Sequence, residues 1–203
     1  VSNDCADSIK QRYIFKNSNK ISFIYNGLSN NPINNIKSPI KQKYKITDNT
    51  KIILMIGNFH PRKGHKYLIN AMVDVFTKYK NLNLFIIGSG TKEETAYLKS
   101  LVSGFKWAEK IHFTGFVSDI SKYMSIADII VIPSQEHESF GLTAIEAMSY
   151  GIPIVATNIG GLPETIGDNG YCGFHTDVKD MPGFSKNILR LIEDATLAKK
   201  MGE

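Results

Sequence analysis

The sequence predicts an α/β domain, a parallel β-sheet with helices packed on both faces. Three observations carry this prediction. Apolar runs of strand length recur along the chain and are apolar throughout, as strands covered on both sides are. Segments with the 3.6-residue apolar period of a helix lie between them. Several of the apolar runs end in glycine or a small polar residue, as at Gly57 and Gly88. In such a sheet the crossovers are right-handed, and ligands bind beyond the C-terminal ends of the strands.

The elements follow in order. Residues 1–16 suggest a strand end plus a short helix and do not fit the βα rhythm that follows. A strand is predicted over residues 21–25, then a polar loop over 30–49 containing Pro32 and Pro39. Further strands are predicted over residues 51–56, 82–87, 110–114, 128–132 and 152–157, with a short one over 171–174. The helical segments are 65–78, 92–103, 120–126, 142–150 and 163–166, and a long helix over about 184–201 closes the chain. Gly151 is a natural C-cap for the fourth of these, and Pro153 forbids its continuation.

Composition bounds the functional classes. Of 203 residues, 42% are apolar, enough for a sizeable core. The two cysteines, Cys5 and Cys172, form no disulfide framework and no metal-ligand spacing, which points to a reducing compartment. No apolar run reaches the length of a membrane span. The net charge of +5 favours anionic partners such as phosphates or an anionic membrane face. The lysines are dispersed, and no nucleic-acid module is present. Because the chain starts at Val1 and stops inside a helical pattern, the expectation is a piece of a longer protein.

Two places offer chemistry. The loop after the strand at 51–56 reads GNFHPRKGHKYLINAM, and it sets Arg62, Lys63 and Gly64 just ahead of a helix. Cations beside the free N–H groups of a helix start suit a phosphate, although a solvated basic turn would look the same. Gly88 and Gly90 in IIGSG give half of a dinucleotide fingerprint, without its third glycine, and no Walker A pattern occurs. The second place is HESFGLTAIEAMSYG, residues 137–151, where Glu138 lies in a loop and Glu146 on the helix after it. The N–H groups near Gly141, Leu142 and Thr143 point into the gap between these carboxylates. Such a layout fits a ligand with phosphates in its middle and polar ends, as in a nucleotide-sugar. The alternatives are a surface pair favoured by the helix dipole, or a glycosidase pair, which needs carboxyl groups roughly 5–9.5 Å apart. His60, His65, His112, His137 and His175 are scattered, and no metal is expected.

The stretch ADIIVIPSQEHESFGLTAIEAMSYGIPIVATNIGGLPE closely resembles the signature of the retaining family 4 glycosyltransferases, which have the GT-B fold. ISFIYNGL resembles the first strand of their C-terminal domain, GNFHPRKGHKYLINAM their phosphate-contacting loop, and LFIIGSG and IHFTGFVSDISKYMSIAD the segments around the nucleobase. The resemblance covers about residues 21–203. It implies a Rossmann-like parallel sheet, the C-terminal half of a GT-B fold, with residues 1–20 a remnant of an N-terminal domain and its linker.

By the same resemblance, Glu138 contacts donor-sugar hydroxyls and Glu146 binds the ribose hydroxyls. Amides near Phe140, Gly141, Leu142 and Thr143 hold sugar and phosphate oxygens, and Gly88 borders the donor. Lys63 and Arg62 neutralise the leaving diphosphate, Val117 meets the base through its backbone, and Lys122 is a further candidate there. Many relatives carry an arginine where Asn58 stands, and Arg62 would supply that charge. The implied activity is transfer of a hexose-type sugar, with retention, from a nucleotide-sugar, a UDP-sugar being the expected donor. The acceptor is a glycan or lipid-linked molecule, and the missing N-terminal domain of the same protein is a partner. The expected location is the cytoplasm, with a peripheral contact to the inner membrane face the one membrane association. A non-catalytic nucleotide-binding or interaction domain of the same fold is the alternative reading.

Overall fold

The computed structural model describes residues 2–12, 22–28 and 38–203. In chain order its elements are α1 (Asn3–Arg12), α2 (Ile40–Lys43), β1 (Lys51–Ile56), a 3-10 turn (Pro61–Lys63), α3 (His65–Lys78), β2 (Leu82–Ile87), α4 (Lys92–Ser103), a second 3-10 turn (Ala108–Lys110) and β3 (Ile111–Gly115). There follow α5 (Ser121–Met124), β4 (Ile129–Ile132), α6 (Leu142–Ser149), β5 (Ile154–Thr157), α7 (Leu162–Ile166), β6 (Gly173–Thr176), α8 (Met181–Glu193) and α9 (Ala195–Gly202).

The six strands pair in parallel in the order β3-β2-β1-β4-β5-β6. This is the doubly wound Rossmann order, in which the winding reverses between the first strand and its later neighbour. Side chains of β1 alternate between two cores, as the two-residue period of a strand requires. Ile53 and Met55 pack under α3, α4 and α8, whereas Ile52 and Leu54 pack with Tyr123 of α5, Ala144 of α6 and Leu162 of α7. All four are at most 2% exposed. Full burial of each such side chain stabilises the fold by about 1.5–3 kcal/mol. Both faces of the sheet are therefore covered, which is why the central strands β1 and β4 are almost wholly apolar, whereas the edge strands β3 and β6 carry His112, Thr114, His175 and Thr176.

Asp128 fixes the β1–β4 pairing at its N-terminal end. Its carboxylate accepts from Lys51 Nζ at 3.0 Å and from the Ile52 amide at 2.8 Å, and its own amide donates to the Ile52 carbonyl. On α4, Thr91 and Glu94 form a reciprocal capping box, an arrangement whose cap alone contributes about 1 kcal/mol.

Four expectations need correction. Residues 22–25 form no strand; Ile24 is 83% exposed and Tyr25 53%, and Tyr25 instead lies against Phe140 with ring centroids 5.9 Å apart. Ile21 lies outside the described residues. An apolar run becomes a strand only where a sheet edge accepts it, and this one caps the α6–α7 end of the molecule with aromatic contacts. Within the predicted loop 30–49, residues 40–43 form α2, while 30–37 lie outside the described residues. Lys110 belongs to a 3-10 turn rather than to β3. The closing helix is two helices, because Asp194 leaves helical geometry and its side chain accepts from the Leu197 amide at 2.9 Å, starting α9. The stretch 1–16 contains α1, and residues 1 and 13–20 lie outside the described residues.

Candidate functional site

Strands β1 and β4 are neighbours whose following helices, α3 and α6, lie on opposite faces of the sheet. Their connecting loops part at the C-terminal edge and open a crevice there. A cavity of about 270 Å³ occupies it, floored by Met55, Ile56, Val131 and Ile132. Lys63 enters from the first loop, residues 133–134 and 138–143 from the second, and Asn26 from the segment ahead of the sheet.

The two loops hold each other. The Gln135 amide donates to the Arg62 carbonyl at 2.7 Å. Gly64 has φ +76°, and a Cβ there would stand 1.8 Å from the Pro133 carbonyl oxygen, so only glycine permits this approach. Across the gap, Lys63 Nζ donates to Glu138 Oε2 at 2.6 Å. Ser134 Oγ donates to the same oxygen at 3.0 Å. Among the described residues both of these donors reach Oε2 and none reaches Oε1. The pair is largely shielded, with 23% of the Lys63 side chain and 13% of the Glu138 side chain exposed.

The glutamate loop is anchored almost residue by residue. Thr157 Oγ1 donates to the Ser134 carbonyl at 2.5 Å. The Gly161 amide donates to the Glu138 carbonyl at 2.8 Å, Ser2 Oγ to Ser139 O at 2.5 Å, and Thr165 Oγ1 to Phe140 O. Such a loop is positioned before any ligand arrives. It delivers the chain to α6 with Gly141 at φ +87° as N-cap. The amides of Gly141, Leu142 and Thr143 donate to no acceptor among the described residues, and Leu142 is 51% exposed in the crevice. Helix-start amides with no acceptor among the described residues, one cation and one carboxylate suit an anionic, hydroxyl-bearing ligand.

The structure thus gathers Lys63, Glu138, Phe140, Gly141, Leu142 and Thr143 around one crevice. The other predicted residues lie outside its lining. Arg62 shares the 3-10 turn with Lys63, and no carboxylate among the described residues pairs with its side chain. Glu146 sits one turn along α6 from Leu142, half-buried, without a side-chain partner among the described residues, and burial raises its pKa above the usual carboxylate value. Val117 packs on the core under α5. Lys122 is paired with Asp119 at 3.4 Å. Gly88 is explained by packing: at φ +148° a Cβ would meet the Gly57 carbonyl oxygen at 1.8 Å. Asn58 is exposed.

Sequence reasoning missed several contributors. Ser134 completes the Glu138 environment, and Asn26, in the quoted ISFIYNGL stretch, lines the crevice. The first turn of α1 docks on its rim: both oxygens of Glu164 accept from the Asn3 and Asp4 amides at 2.8 Å. That docking brings Asp4 and Cys5 to His137, a grouping of ligand-type side chains that no spacing in the sequence displays. A larger, mainly aromatic and aliphatic cavity of about 480 Å³ lies behind the Lys63 loop, beside Phe59, Tyr67, Tyr97 and Leu98. Lys63 and Glu138 take no part in it.

Known proteins with the same architecture fix the family. The chain is 30% identical over 164 residues to N-acetyl-alpha-D-glucosaminyl L-malate synthase of Bacillus anthracis, covering 81% of this chain and 42% of that protein. A glycosyltransferase from Rickettsia africae superposes with a TM-score of 0.90 at 28% identity, over 100% of this chain and 55% of that one. HepE of Anabaena, solved in complex with UDP, superposes with a TM-score of 0.79 at 24% identity, over 92% of this chain and 51% of that one, and shares the fold. The chain spans about half the length of these proteins. Its sheet is the Rossmann-like α/β fold found in GT-B glycosyltransferases. No helix among the described residues is long and apolar enough to cross a membrane. Residues 36–203, which carry the sheet and the whole crevice except Asn26, match the family model "Glycosyl transferases group 1", and the chain belongs to that family.

Proposed function

We propose that this chain is the donor-binding half of a retaining hexosyltransferase that takes a sugar from a nucleotide-diphosphate sugar, with a UDP-sugar as the donor. The observation that carries the reading is the Lys63–Glu138 pair facing the free amides of α6 at the strand-order switch point. The UDP complex of HepE supports the choice of donor class. The acceptor, a glycan or a lipid-linked molecule, would enter from an N-terminal domain of the same protein. Residues 1–20 would be the remnant of that domain and its linker, and residues 21–203 the donor domain. The setting is cytoplasmic or at the inner membrane face.

The chemistry follows from charge. As the glycosidic bond to the diphosphate breaks, positive charge develops on the sugar ring and negative charge on the leaving phosphate. Lys63, with Arg62 behind it, and the α6 amides would stabilise the leaving group. Because they are fixed in advance, they need little reorganisation during the reaction. Glu138 would hold sugar hydroxyls with Oε1 while Oε2 remains on Lys63 and Ser134. Glu146 would take the ribose hydroxyls, and the Val117 backbone would meet the base. No step runs through a metal.

Titration of the chain with UDP-, GDP- and ADP-sugars tests the reading. Saturable binding of one donor is expected, abolished in Glu138→Ala. Absence of binding to every nucleoside diphosphate and its sugars overturns it in favour of a non-catalytic interaction domain.

A further inference from the structure

Beside the crevice, outside its lining, three side chains of metal-ligating type meet. Asp4 and Cys5 come from the first turn of α1, and His137 from the loop residue preceding Glu138. One ligand atom from each lies within 4.8 Å of the other two. Cys5 Sγ stands 3.7 Å from His137 Nε2, and His137 Nδ1 is 3.9 Å from Asp4 Oδ2. In a tetrahedral zinc site with bonds of about 2.3 Å to sulfur and about 2.0–2.1 Å to nitrogen, these two ligand atoms lie about 3.6 Å apart. Cys5 Sγ and His137 Nε2 already stand at ligand spacing, whereas Asp4 has its 3.9 Å contact with the other ring nitrogen, Nδ1, and must turn to share an ion bound at Nε2.

We propose that Asp4, Cys5 and His137 form a site for a zinc-like divalent cation that ties α1 to the loop carrying Glu138. Three protein ligands of this mixed thiolate, imidazole and carboxylate kind suit a borderline-soft ion and leave a fourth position for water. The ligand-bearing backbone is placed without help from any ion. The Asn3 and Asp4 amides are held by Glu164, and Ser2 Oγ receives the Cys5 amide at 3.3 Å while donating to Ser139 O. A cation therefore meets an arrangement whose ordering cost has largely been met by other bonds. Binding converts the Cys5 thiol to thiolate and releases its proton to solvent, so affinity rises with pH. Asp4 and Cys5 are half-buried and His137 is exposed, so an ion has a path in. The site is independent of the sugar-transfer reading, because neither Glu138 nor Lys63 is a ligand.

Co²⁺, a spectroscopic stand-in for zinc, provides the test on the reduced, metal-free chain. One equivalent is expected to bind, with a thiolate-to-cobalt band in the near ultraviolet and visible bands of tetrahedral intensity. Both should vanish in Cys5→Ser and His137→Ala, persist in Cys172→Ser, and require at least tenfold more Co²⁺ in Asp4→Ala. Zn²⁺ should raise the melting temperature of the parent chain and leave that of His137→Ala unchanged. Absence of the thiolate band in the folded parent, or its persistence in Cys5→Ser or His137→Ala, overturns the site. Should Cys5→Ser fail to fold, His137→Ala decides alone.

Discussion

Lys63 Nζ lies 2.6 Å from Glu138 Oε2, and that contact joins the loop after β1 to the loop after β4 across the point where the sheet reverses its winding. The pair places a cation and a carboxylate 75 positions apart in sequence within one shielded crevice. It keeps Lys63 aimed at the gap between the two loops. Among the described residues it engages Oε2 of Glu138 and not Oε1. On the proposed reading, a diphosphate entering the crevice would compete for a lysine whose direction is already set, so little side-chain entropy would be lost on binding.

Lys63→Ala and Arg62→Ala are expected to weaken binding of the nucleoside diphosphate more than binding of the nucleoside. Charge-assisted hydrogen bonds contribute about 1.5–3 kcal/mol, so the loss at Lys63 should be roughly tenfold to a hundredfold. Calorimetric titration of each variant with nucleoside and nucleoside diphosphate measures the difference. Equal losses for the two ligands would show that the loop acts on folding or on the base.

Glu146→Ala should weaken nucleotide binding by about ten- to a hundredfold if its carboxylate takes the ribose hydroxyls. Burial raises the pKa of this group. The ionised form, the better acceptor, is therefore lost on acidification sooner than for an ordinary glutamate. Nucleotide affinity should fall as pH drops towards that raised pKa, and the fall should be absent in Glu146→Gln. An unchanged affinity in a folded Glu146→Ala chain removes the ribose assignment.

Gly64→Ala tests the loop crossing. Its left-handed backbone costs an L-residue roughly 1–2 kcal/mol, and the added Cβ would overlap the Pro133 carbonyl. The two loops must separate to admit it. A melting temperature lower by at least about 5 °C is expected, at roughly 2–4 °C per kcal/mol for a domain of this size, together with weaker nucleotide binding. A variant that melts as the parent does would show that the loops are not held together in solution.

His65 is 2% exposed at the start of α3, and burial, with the Lys63 charge acting in the same direction, lowers its pKa to about 4. An unfolded chain protonates it near pH 6.5. Between those values the unfolded state binds the extra proton, so stability rises with pH through that window. The contribution is fully present above about pH 6.5 and disappears as pH falls to about 4, amounting to roughly 3 kcal/mol. Burial lowers His112 and His175 as well, with the same sign. Melting followed from pH 7 to 4 should show a shallower pH dependence in His65→Gln than in the parent. Identical slopes would place the acid sensitivity elsewhere.

The helices at 65–78 and 92–103 and the strands at 51–56 and 82–87 were readable to the residue, because their apolar periods end at glycine, at Thr91 or at a turn. Residues 22–25 misled because composition reports apolar surface but not whether an edge strand waits to receive it. Residues 184–201 read as one helix because the apolar period survives the break, which is made by the single side chain of Asp194. At the site, HESFG announced a loop feeding a helix start. Its partners could not be read, since Lys63, Thr157 and Ser2 reach the loop only through the sheet order and the docking of α1. The Asp4–Cys5–His137 grouping was hidden for the same reason, with its members 132 positions apart at the closest ligand contact.

The chain by itself is expected to bind a nucleotide-sugar and to transfer nothing. On the proposed reading its crevice offers one wall: the Lys63 cation and the α6 amides for a leaving diphosphate, the Glu138 carboxylate for the sugar, and an open side. A sugar acceptor needs a second wall that holds its hydroxyl in line with the reacting carbon and excludes water. Proximity and exclusion of water do not operate without it. The chain spans 42% of the Bacillus relative, so such a wall would lie in the remainder of a full-length protein. Folding should not depend on that remainder, because both faces of the sheet are already covered by helices. The isolated chain should therefore melt cooperatively, rise by a few degrees with nucleoside diphosphate through mass action, and release no product with donor and any glycan or lipid-linked acceptor. Chromatographic product analysis over hours, with donor hydrolysis as a parallel readout, measures this. Sugar transfer at a rate near that of the full-length protein would mean that residues 1–203 already contain a complete catalytic site, and the half-enzyme proposal would be wrong.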